Sequence, residues 1–375
     1  MKIMHIVPSM ESGGVEQVIL ELSQGFTQQG HEVIVLSAGG RLVKTLEGYG
    51  ARHIALDIGK KRLWTLFKVR AVRRLFAAER PDVIHLHSRF PAWIAYWAWK
   101  GLPQENRPRL VTTVHGLYSV SRYSAIMTKG ERIVAVSEAV RDYILTHYPA
   151  VEPSRIAVIH NAVDAAYTPD FRPCEAWLRE TWATMTGGRG DLFTLCLPGR
   201  ITRPKGHADL IPILKALLSE NIPVLAIMAG EAKRGKERTF HELKKAFDDA
   251  GLSPHVLWAG NRADIKELLS QCSVTLSLSR QPESFGKTVL EALALGRPVA
   301  GYAHGGVAGL LDALYPAGRV PPHDTAQMAR LLIAWHRTPP PPVPPIPPAF
   351  SIPEMIASHL RLYGITRPLR ERKPR

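Results

Sequence analysis

Short apolar runs alternate with longer amphipathic ones along this 375-residue chain, and the alternation runs twice. In the first half, strands are expected at 2–7, 32–37, 53–57, 82–87, 110–114, 132–136 and 155–159. Helices between them are expected at 15–29, 63–78, 92–100 and 138–147, the last with Ser137 as N-cap. Strands alternating with helices indicate a parallel, doubly wound sheet. A looser stretch follows at 162–191, holding Pro169, Pro173, Gly187, Gly188 and Gly190, and reads as a connection carrying a short helix. The alternation then restarts, with strands at 193–197, 224–228, 256–258, 274–279, 298–301 and 319–320. Its helices are expected at 207–219, 237–250, 264–271, 288–295 and 325–336. The fold class is therefore α/β, with two Rossmann-like domains facing a central cleft at the carboxyl ends of their strands.

The expected boundaries are a first domain at 1–165, a connection at 166–192 and a second domain at 193–338. A proline-rich linker at 339–350 precedes a terminal helix and basic tail at 351–375. The run from Pro339 to Pro348 cannot be helical and favours a semi-rigid polyproline spacer. The last helix is expected at 353–363, and the tail is basic from Arg367.

A hydrophobic content of 45% supports two full cores, and no apolar run approaches the ~18 residues of a membrane span. Residues 1–7 read as a first strand, not a signal peptide. Cys174, Cys196 and Cys272 lie in unrelated settings, which suggests neither a disulfide framework nor a metal site and fits a reducing compartment. The net charge of +15 suits a basic soluble surface or attraction to an anionic membrane or polyanionic acceptor. Lys60, Lys61, Arg62, Lys68, Arg70, Arg73 and Arg74 cluster in one segment, interleaved with Trp64, Phe67 and Phe76 but without a clean apolar stripe. Nucleic acid is disfavoured as a partner because no recognised binding module is present.

Chemistry concentrates in four places. In the stretch 280–299, Glu283 and Glu291 bracket a Phe285-Gly286 turn that opens a helix, Glu291 lying two turns along it. An anion at that turn would meet free backbone N–H groups and the positive end of the helix. Hydroxyl acceptors on either side of such an anion suit a nucleotide-sugar. The loop Gly199-Arg200-Ile201-Thr202-Arg203-Pro204-Lys205-Gly206 follows the first strand of the second domain. Arg200 and Lys205 could neutralise a diphosphate from that loop, although basic loops are often only solvated. Gly13-Gly14 follows the very first strand; it is either an ordinary tight turn or a place where backbone approaches a phosphate, and it is not a GxGxxG fingerprint. His87 and His115 both follow apolar strands, and His115 is the stronger functional candidate. Zinc-ligand spacing, Asp-x-Asp and Gly-x-Ser-x-Gly are all missing, which disfavours metal-dependent and serine-hydrolase chemistry.

With these residues in view, the chain resembles the retaining family 4 glycosyltransferases of the GT-B fold over nearly its whole length. The likeness rests on Gly13-Gly14-Val15-Glu16, Thr113-Val114-His115-Gly116, Val134-Ala135-Val136-Ser137-Glu138, the segment 158–164, the 199–206 loop and the Glu283-x7-Glu291 pair. Ser88-Arg89-Phe90-Pro91-Ala92-Trp93 looks like a segment of members that build lipopolysaccharide core. The resemblance implies catalytic roles for His115, Glu283, Arg200 and Lys205. It implies donor binding by Gly13, Gly14, Arg200, Lys205, Gly260, Asn261, Arg262, Glu283, Phe285, Gly286, Lys287 and Glu291. It also implies retention of configuration, no metal and no other cofactor. The expected activity is transfer of a hexose, UDP-glucose being a common donor, to lipopolysaccharide core at the inner face of the cytoplasmic membrane. A lipid-linked capsule or exopolysaccharide acceptor and a UDP-sugar epimerase of the same fold are the alternatives. Ala162 stands where the family usually has glycine, and the proline run occupies the place of a helix.

Overall fold

Strands buried on both faces need no polar alternation, and this is why the β-segments read as short continuous apolar runs. In the computed structural model of the protein, residues 1–11, 13–60, 65, 67–232 and 237–364 are described. Lys61, Arg62 and Trp64 of the basic segment, the opening of the helix expected at 63–78, and the basic tail from Arg367 lie outside the described residues.

The chain divides into two units, Met1–Ala162 with Pro348 onward, and Val163–Pro347. The first contains β1 (Lys2–Ile6), β2 (Glu32–Ser37), β3 (Arg52–Ala55), β4 (Val83–Leu86), β5 (Arg109–Val114), β6 (Arg132–Ala135) and β7 (Ile156–Val158). They form one parallel sheet in the order β3-β2-β1-β4-β5-β6-β7. The order reverses between β1 and β4, which makes that pair the switch point of a doubly wound sheet. Helix Gly14–Gln28 packs on helix Ile352–Gly364 from the far end of the chain. Ile19, Leu22 and Phe26 share a core with Met355, Ile356, Leu362 and Tyr363. The helix expected at 63–78 is observed as Lys68–Glu79, and the one expected at 92–100 begins at Arg89. Ser137 does cap helix Glu138–His147, accepting from the Val140 N–H at 3.2 Å.

The second unit contains β8 (Phe193–Pro198), β9 (Val224–Ala229), β10 (Val256–Gly260), β11 (Val274–Ser277), β12 (Val299–Tyr302) and β13 (Arg319–Val320). Their order is β10-β9-β8-β11-β12-β13, again parallel, with the switch between β8 and β11. The strand expected to reach 279 stops at Ser277, so Leu278 and Ser279 belong to the loop. The helix expected from 207 opens with a 3-10 turn, His207–Asp209, before Leu210–Ser219. Residues 175–186 form a helical run with a π-helical middle, Leu178–Trp182, ended by left-handed Gly187.

Among the described residues, two α-helices have no counterpart among the expected elements, Val43–Gly48 and Gly305–Leu314. The second opens on Gly305-Gly306, where helix propensity is poor. Tertiary approach decides it: a Cβ on Gly306 would lie 2.5 Å from Phe285 Cα, so only glycine lets this helix abut the 283–285 turn. The proline run from Pro339 to Pro347 has no regular structure, and the Tyr315 hydroxyl donates to Pro341 O at 2.8 Å. No described helix is long and apolar enough to cross a membrane.

Candidate active site

The loops after β8 and β11 leave neighbouring strands at the switch point of the second sheet, and backbone contact stitches them together. Gly206 has φ 72°, and a Cβ there would sit 1.7 Å from Leu278 O. The Arg280 N–H donates to Pro204 O at 2.7 Å. This contact brings side chains 78 positions apart together: Lys205 Nζ lies 2.8 Å from Glu283 Oε1. The Ser279 hydroxyl donates to the same carboxylate oxygen. His304 Nε2 donates to Ser279 O at 2.6 Å and buttresses the group.

Burial alone would raise the Glu283 carboxyl pKa. The Lys205 charge, the hydrogen bonds from Lys205 and Ser279, and the nearby His304 outweigh it and hold the carboxyl below its usual range. Glu283 is therefore an ionised acceptor with a cation beside it at neutral pH.

Phe285, 3% exposed, anchors the turn that follows, and left-handed Gly286 is the N-cap of helix Lys287–Ala294. Gly286 has no side chain to satisfy the first N–H groups, so the amides of the opening turn and the helix dipole face the same place. The helix opens at Lys287, which puts half-buried Glu291 about 6 Å along it. That is little more than one turn, not two as expected from the sequence. Arg200 is exposed in the β8 loop, next to Ile201, whose N–H donates to Glu231 O at 3.0 Å.

Gly260 ends β10, at the edge of the sheet, and Asn261 and Arg262 follow it. The Asn261 N–H donates to Glu231 Oε1 at 3.4 Å, so Glu231, in the loop after β9, touches both the β10 and the β8 loops. Arg262 forks onto Asp264, its Nε donating to Oδ1 at 2.7 Å and its Nη2 to Oδ2. Trp177 Nε1 donates to Asp264 Oδ2 at 2.6 Å. The Arg262 hydrogen bond, ahead of the opposing effect of burial, holds the Asp264 carboxyl below its usual range.

In the first unit, Gly13 precedes helix Gly14–Gln28, and a Cβ on it would lie 2.6 Å from Glu16 Oε2. His115 follows β5 and is half-buried. Its Nε2 is 3.0 Å from His87 Nδ1, and His87 Nε2 is 2.9 Å from His5 Nδ1. Burial, then the proximity of His359, pushes the His115 pKa down to about 3, so the ring is neutral at physiological pH.

Comparison with known proteins fits this arrangement. Residues 12–167 match the family described as Glycosyltransferase Family 4, and residues 180–342 match Glycosyl transferases group 1. The chain thus combines a region similar to Glycosyltransferase Family 4 with one similar to Glycosyl transferases group 1. It is 26% identical over 315 residues to a component of the human phosphatidylinositol N-acetylglucosaminyltransferase, covering 79% of this chain and 60% of that protein. The chain thus spans less than two thirds of that relative's length. A Rickettsia africae glycosyltransferase structure superposes with a TM-score of 0.79 at 24% identity, over 96% of this chain and 97% of the other. The Anabaena HepE structure in complex with UDP and glucose gives 0.76 at 20% identity, over 97% and 95%. This chain shares the GT-B fold of these structures.

Among the residues expected from the sequence, the structure joins Lys205 to Glu283 and sets Phe285, Gly286, Lys287 and Glu291 on the adjoining turn and helix. Asn261 and Arg262, after Gly260 at the end of β10, form a separate hydrogen-bond group, with the Arg262 guanidinium already engaged by Asp264. Ser279, His304 and Asp264 are additions that the sequence candidates lack. Ser279 is hidden in the sequence because it reads as the end of a strand. The Gly305-Gly306 pair beside His304 is the available signal for that residue.

Proposed function

We propose that the protein is a retaining, metal-independent hexosyltransferase that uses a UDP-sugar donor and a phosphorylated glycan acceptor of the lipopolysaccharide-core kind. The observation that carries the donor half is the Lys205–Glu283–Ser279 group set beside the opening of helix Lys287–Ala294, whose N-cap is Gly286. As the glycosidic bond breaks, negative charge builds on the leaving diphosphate. Lys205 and Arg200 would stabilise that charge, with the N–H groups at Gly286 and Lys287 assisting. Glu283, held ionised, would accept hydrogen bonds from the sugar hydroxyls. Glu291 would accept from the ribose. His115, neutral, would supply a hydrogen-bonding imidazole without adding charge. None of these residues is assigned as a nucleophile.

The acceptor half is supported by Arg89, which opens the helix after β4. Its guanidinium lies 4.5 Å from the Tyr118 ring centroid and 5.3 Å from that of Tyr123, and it donates to Ser124 Oγ at 3.1 Å. No described carboxylate pairs with it, so its remaining donors suit a phosphate on the acceptor. The net charge of +15 favours work at an anionic membrane surface, at the cytoplasmic face.

Thermal stabilisation by UDP-, GDP-, ADP- and TDP-sugars, with chelator present, tests the donor assignment in wild type and Glu291→Ala. Stabilisation by a UDP-sugar that is lost in the variant is expected. A flat response to every donor in folded protein, with and without lipopolysaccharide core, would refute it.

A further inference from the structure

The loop after β11 is tied at both ends to one tripeptide, His304-Gly305-Gly306. At its start, Ser279 O lies 2.6 Å from His304 Nε2. A carbonyl oxygen can only accept, so His304 carries a proton on Nε2. At its end, the Gly306 N–H donates to Glu283 O at 2.7 Å, and Gly305 forms a parallel bridge with Glu283. Gly305 is left-handed at φ 57°, and a Cβ on it would lie 2.5 Å from Glu283 O. The two glycines thus fix the main chain at Glu283, and the imidazole fixes Ser279.

Inside the loop these two ends meet. The Ser279 hydroxyl donates to Glu283 Oε1, the oxygen that also accepts from Lys205 Nζ at 2.8 Å. Glu283 Oε2 has no hydrogen-bond partner among the described residues, and the side chain is 24% exposed. One oxygen is therefore taken up within the protein and the other is left for a ligand. The two donors on Oε1 differ in kind. An ammonium is a compact charge on a flexible stem and selects neither oxygen. The Ser279 hydroxyl has a short, fixed reach from a backbone held at its own carbonyl, so it decides which oxygen turns inward.

We infer that His304 is a positioning residue: by holding Ser279 it keeps Glu283 Oε1 turned inward and Oε2 presented to the hydroxyls of the donor sugar. This rests on the role given to Glu283 above. All the groups named belong to one unit, Val163–Pro347. Two backbone contacts keep the course of the loop without the imidazole. The Arg280 N–H donates to Pro204 O at 2.7 Å, and Gly206 abuts Leu278 O. Loss of His304 should therefore redirect the Ser279 hydroxyl and leave the loop folded.

Titration calorimetry on the full chain tests this with UDP set against UDP-glucose, UDP-galactose and UDP-N-acetylglucosamine. UDP carries no sugar for Glu283 to hold, so its affinity reports an intact site. The affinity of the best-bound UDP-sugar relative to UDP reports Glu283 Oε2. His304→Leu should lower that ratio about 10- to 100-fold with UDP affinity unchanged, as for a lost hydrogen bond to a charged acceptor. His304→Gln, which carries an amide N–H at about the same distance from the backbone, should restore most of it. With Ser279→Ala already in place, His304→Leu should cost little more, because the hydroxyl that it positions is gone. An unchanged ratio in His304→Leu, or full additivity with Ser279→Ala, would overturn the inference. Loss of UDP affinity in both His304 variants would overturn it too, since the residue would then be a structural support. Glu283→Gln separates the two layers. An unchanged ratio there removes the role given to Glu283, whereas a ratio that falls in Glu283→Gln but not in His304→Leu removes only the positioning role. Failure of wild type to bind any of the three UDP-sugars removes the donor reading itself.

Discussion

The histidine-rich interior should make the first unit acid-labile, and the size of the effect can be worked out. His5 and His115 have pKa values lowered to about 3 and His359 to about 4, in each case mainly by burial. His85 and His87 are lowered well below the usual value for the same reason. An unfolded chain protonates these rings near pH ~6.5. The stability they contribute is therefore fully present above that pH. It is lost as pH falls from about 6.5 toward the folded values, because there the unfolded chain binds protons that the folded one cannot. Going from pH 7 to pH 5 costs about 2 kcal/mol per ring, so the three with stated values come to about 6 kcal/mol. That approaches the whole stability of an ordinary domain, and His85 and His87 act in the same direction.

In the second unit the described histidine with a comparably lowered value is His207, at about 4, so the loss there should be about a third as large. Methionine oxidation along a urea gradient reads the two units separately. Met4, Met10, Met127 and Met355 are buried in the first, and Met228 and Met328 in the second. A loss below ~2 kcal/mol in the first unit between pH 7 and pH 5, or an equal loss in both units, would refute the reasoning.

Gly206→Ala places a Cβ against Leu278 O at φ 72° and should destabilise the second unit by about 2 kcal/mol or more. Met228 and Met328 should then lose their protection at lower urea, and UDP binding by calorimetry should weaken. Lys205→Met leaves Glu283 with the burial that raises its pKa and without the cation that lowers it. Donor affinity should fall about 100-fold and should fall further as pH is lowered, measured by titration calorimetry at several pH values. Tyr363→Phe removes the hydroxyl from His85 Nδ1 and should cost the first unit about 1–2 kcal/mol, with UDP affinity unchanged.

Both sheets are legible in the sequence because parallel strands covered on both faces are short apolar blocks, as in Val224–Ala229, where every residue is buried. The Ser137 cap is legible because an N-cap is a local device. The pairings that complete the site are not. Lys205 and Glu283 are 78 positions apart, and Trp177 and Asp264 are 87 apart; only the strand order makes them neighbours. The hydrogen-bonded histidines of the first unit show the same limit. His85 and His87 alternate along one segment and so are visible as a pair, but His5 joins them only because β1 pairs with β4. Helix Gly305–Leu314 escapes a local reading because propensity argues against two opening glycines, while packing against Phe285 demands them.

Helix Ile352–Gly364 carries a consequence for how the protein is made. It closes the core over helix Gly14–Gln28, and a Cβ on Gly25 would lie 1.9 Å from Ile356 Cδ1. The first sheet is thus translated early and covered late. On the ribosome, the intervening unit, Val163–Pro347, is contiguous and can fold as it emerges. The amino-terminal strands must wait, with that face of their apolar surface uncovered, until Tyr363 has been added. At ~5–20 residues per second that wait lasts some tens of seconds, the interval in which a chaperone would have most to protect.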